Sequence, residues 1–140
     1  MDFDSQAFLA QYADAYNSRD PDALRSIFAL DDRRFAVFED YSGDLFDGQE
    51  YRMVLEAVFD SNAEMDFELL RSDRFDGFNI VHAIQKLTVK DEEDGTGQAL
   101  IRATLWVDVN GENPRIVTAH FSLVPKSEVD CSCTPGGCRG

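Results

Sequence analysis

The sequence predicts an α+β domain on three observations. Apolar residues recur at helical spacing through the first 60 residues, alternating strands take over from residue 64, and turn-forming clusters separate the strands. With 140 residues, 44% of them hydrophobic, and eleven Phe, the chain suffices for one aromatic-rich core that needs no metal or disulfide. One domain is expected over residues 1–125, followed by a flexible Cys/Gly-rich tail over residues 126–140.

Phe8, Tyr12 and Tyr16, with Leu9 between them, form the apolar stripe of a first helix entered near Asp4 or Ser5 and ended at Asn17-Ser-Arg19. Asp20-Pro21 then supplies an N-cap followed by Pro at the first helical position, and Leu24, Ile27 and Phe28 continue a short second helix. Phe35 to Glu39 has the β-branched and aromatic content of a strand, and Asp40-Tyr-Ser-Gly43 has turn chemistry. Asp47 and Glu50 stand at capping-box spacing before a third helix, whose apolar face is Tyr51, Val54, Leu55, Val58 and Phe59.

Four strands are expected next: Met65 to Arg71, Phe78 to Lys90, Gln98 to Asp108 and Arg115 to Val124. Their separators are turn-like, so consecutive strands should pair antiparallel in a meander. On the third of them Ile101, Ala103, Leu105 and Val107 point one way, while Leu100, Arg102, Thr104 and Trp106 point the other. Bulky groups on both faces suit a thicker core or a subunit interface, and a homodimer is expected.

A formal charge of −14 from 27 acids against 13 bases repels phosphate backbones and anionic lipid, which argues against nucleic acid as a partner. It describes a solvated acidic surface, or one that docks a basic partner. The start, MDFDSQAFLAQY, carries no basic segment followed by an apolar run, and no window is apolar enough to span a bilayer. A cytoplasmic protein with no membrane partner is expected, and there three Cys read as thiols rather than disulfides.

Three stretches carry a family resemblance: Tyr12-Ala-Asp-Ala-Tyr-Asn-Ser-Arg-Asp20 leading to Ala23-Leu24, Phe35-Ala-Val-Phe-Glu-Asp-Tyr-Ser-Gly43 with Gly48 after it, and Arg115-Ile-Val-Thr-Ala-His-Phe-Ser122. Over residues 5–125 the chain resembles the cone-shaped proteins of the nuclear transport factor 2, ketosteroid isomerase and SnoaL type. The resemblance implies three N-terminal helices on a curved antiparallel sheet, and a pocket for a small hydrophobic molecule. Members include isomerases, hydratases, cyclases, transport adaptors and oligomerisation modules, so the fold alone does not choose an activity.

Carried over from ketosteroid isomerases, the resemblance puts Tyr12 at the oxyanion-hole tyrosine, Asp40 at the general base and Thr104 near the position of a protonated acid. Moving a proton alpha to a carbonyl needs a carboxylate at the carbon acid and donors at the developing oxyanion. Thr104 would give one neutral hydrogen bond there, and a two-residue slip would bring in Asp108 instead. An insertion around Asp31-Asp-Arg-Arg34 precedes Asp40, and a one-residue offset would turn it out of the pocket. Tyr16, Phe38, Trp106, His120 and Phe121 are the expected substrate contacts. No phosphate loop, nucleophile elbow or dinucleotide fingerprint occurs, and no cofactor is expected.

Every cysteine lies in Cys131-Ser-Cys-Thr-Pro-Gly-Gly-Cys-Arg-Gly140. Cys131, Cys133 and Cys138 could bring three thiolates to a soft metal ion. In composition the tail also resembles the modified ends of ribosomally made precursor peptides, which would make a tail-modifying enzyme a partner. Two readings follow: an acid–base enzyme acting on a hydrophobic carbonyl compound, or a non-enzymatic scaffold that presents the tail. An open pocket favours the first, and a cone filled with aromatics the second.

Overall fold

The computed structural model describes residues 3–40, 43–60, 62–91 and 95–124; among these it contains three α-helices and one six-stranded sheet. The tail, with Cys131, Cys133 and Cys138, lies outside the described residues. None of the helices described is long and apolar enough to cross a membrane.

Helix α1 spans Ser5–Asn17, and the Asp4 carboxylate caps it by accepting from the Ala7 N–H at 3.0 Å. Helix α2 covers Pro21–Ile27, entered through Asp20, whose carboxylate accepts from the N–H groups of Asp22 and Ala23. Helix α3 runs Gly48–Glu56 behind the capping box of Asp47 and Glu50. A 3-10 turn, Ala57–Asp60, takes over where the sequence pattern continued the α-helix to Phe59.

At the start of α3 a side chain on residue 48 would place its Cβ 1.9 Å from the Leu30 carbonyl oxygen. Only glycine lets this helix touch the loop after α2, and so fixes how deep α3 sits.

The strands are β1 Ala36–Glu39, β2 Asp44–Phe46, β3 Ala63–Phe75, β4 Phe78–Asp91, β5 Gly95–Asp108 and β6 Arg115–Leu123, in the order β2-β1-β6-β5-β4-β3. The meander β3 to β6 is antiparallel as expected. The sheet as a whole is mixed, however, because β1 runs parallel to β6. The chain leaves β1, builds α3 and the meander, and returns along the same edge in the same direction. Strand β2, three residues in a hairpin with β1, is too short to show a period in the sequence.

Asp76 and Gly77, both at positive φ, make the two-residue turn between β3 and β4. Strand β3 carries a bulge at Leu70, so the inward set passes from Leu69 to Ser72. Behind the helices, Val37, Val81, Leu105, Val107 and Ile116 are wholly buried. Phe28 sits among rings, with centroids 5.4 Å from Tyr12, 5.2 Å from Tyr51 and 6.2 Å from Phe35.

Candidate functional site

Between the helices and the inner face of the sheet lies a cavity of about 210 Å³, partly open to solvent. Six side chains define its chemistry: Tyr12 and Tyr16 from successive turns of α1, Glu39 from the end of β1, Tyr51 from α3, Gln85 from β4 and Phe121 from β6. Leu24, Val54, Leu55, Met65 and Leu87 complete an apolar wall.

The period of each element places these groups. Tyr12 and Tyr16 are one helical turn apart on the inward face of α1, Tyr12 buried and Tyr16 partly buried. On β1 and its approach, Phe35, Val37 and Glu39 alternate inward and are all buried, so the strand period carries a carboxylate to the core face. Gln85 follows Val81 and Ala83 on the inner face of β4, and Phe121 faces inward beside Glu39 in the β1–β6 register.

Two buried polar side chains, Glu39 at 8% exposure and Gln85 at 5%, therefore sit in an otherwise apolar wall. The Tyr12 hydroxyl is hydrogen-bonded to the side chains of Gln85 and Tyr51. Burial pushes its phenol well above the usual tyrosine range, and the Glu39 charge adds to the rise, so Tyr12 stays protonated. The Gln85 amide also donates to the Met65 sulfur at 3.5 Å. Met65 is fixed by Asn17, whose amide donates to the Met65 carbonyl at 3.0 Å and whose oxygen accepts from the Met65 N–H at 2.7 Å.

Of the residues the sequence singled out, the cavity gathers Tyr12, Tyr16 and Phe121. Asp40 does not line it: β1 ends at Glu39, and Asp40 is exposed in the following turn, its N–H donating to the Phe121 carbonyl at 2.9 Å. The one-residue offset is realised, with Glu39 at the inward position.

Thr104, Phe38, Trp106 and His120 are also outside the cavity, because their strand parity turns them to the opposite face of the sheet. There Phe38, His120 and Thr104 form one cross-strand row that His82 extends, with the Phe38 and His120 rings 5.5 Å apart. Trp106 packs between Phe75 and Phe78, at 6.2 Å and 5.9 Å. A shallow depression joins Phe38, Leu45, Thr104, Trp106, Thr118 and His120. Asp108 lies apart from both sites, 3.6 Å from the Arg34 guanidinium.

Sequence reasoning missed Glu39, Tyr51 and Gln85 as site residues. Glu39 was signalled by the alternation Phe35, Val37, Glu39, and Tyr51 by the apolar stripe of its helix. Gln85 had a comparable signal, a polar residue in phase with Val81 and Ala83.

A carboxylate, a protonated phenol and a carboxamide on one apolar wall can bind a small molecule and exchange a proton with it. Comparison with known proteins gives the class: residues 6–126 match the SnoaL-like domain model, and the chain belongs to that family. No protein of curated function matches it.

Among solved structures it is similar to a candidate calcium/calmodulin-dependent protein kinase type II association domain from Thiobacillus denitrificans. The TM-score is 0.70 at 15% identity, covering 86% of this chain and 95% of that one. It is similar also to a candidate dehydratase of the NTF2-like family from Streptomyces avermitilis, with TM-score 0.68, 11% identity and coverage of 85% and 92%. A third neighbour is an NTF-2 like protein of unknown function from Shewanella oneidensis, with TM-score 0.62, 16% identity and coverage of 83% and 93%. These likenesses establish the nuclear transport factor 2-like fold and no activity.

Proposed function

We propose that the cavity binds a small, largely apolar carbonyl compound and performs acid–base chemistry on it. Glu39 takes a proton from the carbon next to the carbonyl, while Tyr12 and Gln85 donate hydrogen bonds to the oxygen that gains charge. The observation that carries this reading is a buried carboxylate and a buried, protonated phenol on one wall of one apolar cavity. On such a mostly apolar wall fixed donors act with less competition from water than they would at the protein surface. Glu39 takes the role that the family resemblance assigned to Asp40, and Gln85 the role sought in Thr104. A candidate dehydratase among the structural neighbours is consistent with carbon acid chemistry. The open cavity favours this reading over a scaffold that only presents the tail.

The test is hydrogen–deuterium exchange at the α-carbon of one-ring ketones in deuterated water, followed by NMR. The wild type should catalyse exchange, Glu39→Gln should abolish it, and Asp40→Asn should leave it unchanged. Loss on Asp40→Asn with retention in Glu39→Gln would return the base to the turn residue.

We propose in addition that a second copy of the chain covers the outer sheet face. Phe38, Leu45 and Phe75 are 45%, 60% and 59% exposed there, next to the half-buried Trp106. The Thiobacillus neighbour carries the word association in its name, in keeping with self-assembly.

A further inference from the structure

The cavity wall has a charge character that small-molecule binding by itself does not require. Three phenol rings, Tyr12, Tyr16 and Tyr51, together with the Phe121 ring, surround the same space as the Glu39 carboxylate. Among the described residues that line it there is no Lys, Arg or His. Arg19 stacks over the Tyr16 ring at 5.4 Å, but it does not line the cavity, and Glu64 sits 3.7 Å from its guanidinium.

Aromatic faces are electron-rich, and they attract a cation most strongly where water is excluded. A buried carboxylate acts in the same direction and repels an anion at short range. The net charge of −14 adds a long-range field of the same sign over the molecule as a whole. Size sets a second limit, because about 210 Å³ is small for a ligand cavity. That suits a short chain or a single ring.

We propose that the ligand of this cavity is a small organic cation, an alkylammonium of one-ring size or less, held by the rings of Tyr12, Tyr16, Tyr51 and Phe121 with Glu39 as its counter-charge. This rests on the reading that the cavity binds a small molecule, and it names the chemical class of that molecule. An amine-bearing carbonyl compound would satisfy both; carboxylates, phosphates and acyl carriers with anionic tails would be turned away.

The test uses three probes of one shape on the full chain at pH 7.5: choline, its uncharged analogue 3,3-dimethylbutan-1-ol, and the anion 3,3-dimethylbutanoate, each titrated by calorimetry. Choline should bind at least about tenfold more tightly than the alcohol, as desolvated cation–π contact implies, and the anion should not bind measurably. In Glu39→Gln the advantage of choline over the alcohol should shrink. If the alcohol binds as tightly as choline to the wild type, the charge preference is overturned while the binding cavity stands. If none of the three binds, the binding reading falls and the inference with it. Because the decisive comparison is made on the wild type, failure of Glu39→Gln to fold leaves it intact.

Discussion

Tyr12 illustrates how the surroundings of one hydroxyl set both its chemistry and a pH limit on the fold. Buried and hydrogen-bonded to Gln85 and Tyr51, it keeps its proton far above the value of 10.0 at which a free tyrosine ionises. Above pH 10 the unfolded chain releases this proton and the folded chain retains it. The unfolded state then binds fewer protons, so stability falls as pH rises. The unfolding temperature should therefore decline from about pH 10 upward, and Tyr12→Phe should flatten that decline. An unchanged alkaline decline in the variant would contradict a buried, protonated Tyr12. At neutral pH the same variant should lose about 1 kcal/mol, the net worth of a typical hydrogen bond, in denaturant unfolding.

The neighbouring pair Glu39 and Asp40 shows where residue-level reading stopped. Both are carboxylates, and the family resemblance put the general base at Asp40. Each follows two apolar residues of its own parity, and Glu39 is the one that shares the buried parity of Phe35 and Val37, whereas Asp40 shares that of the exposed Phe38.

At the scale of elements, the junction between α1 and β3 shapes the cavity. Strand β3 is a sheet edge, and the side chain of Asn17, the last residue of α1, pairs with both backbone groups of Met65 as another strand would. Met65 is 6% exposed and lines the cavity, so losing this clamp would leave buried backbone groups without their partner. Asn17→Ala should cost about 1–3 kcal/mol in denaturant unfolding. It should also weaken ligand affinity at the cavity more than Asn17→Asp, which keeps one acceptor. Equal stability of Asn17→Ala and wild type would remove the clamp from the account.

Helix starts were legible because caps are local: Asp4, Asp20 and the pair Asp47 and Glu50 all act within three residues. The hairpin partner β2 and the bulge at Leu70 were not, because each is defined by a neighbouring strand rather than by its own pattern.

For the whole molecule, the sheet divides the expected site residues into two groups. Tyr12, Tyr16 and Phe121 face the helices, whereas Phe38, Thr104, Trp106 and His120 face away. The second group has the exposed aromatic character of an interface, which the alternation on β5 already suggested. In the dimer proposed here, Trp106→Glu should convert the dimer to a monomer in sedimentation or light scattering, with far-UV circular dichroism unchanged. A wild type that is monomeric at high micromolar concentration would refute the dimer. Retention of the dimer by the variant would move the interface elsewhere.

The sequence by itself determined the α+β class, the helix starts at their caps and the meander, because these follow from periods and turn residues that act over a few positions. Only the tertiary structure decided that β1 lies parallel to β6, that Glu39 rather than Asp40 enters the cavity, and that Gln85 and Tyr51 join Tyr12 there. Those outcomes depend on which strand lies next to which and on the face each residue presents, and contacts between positions as distant as 12, 39 and 85 arise only when the chain closes on itself.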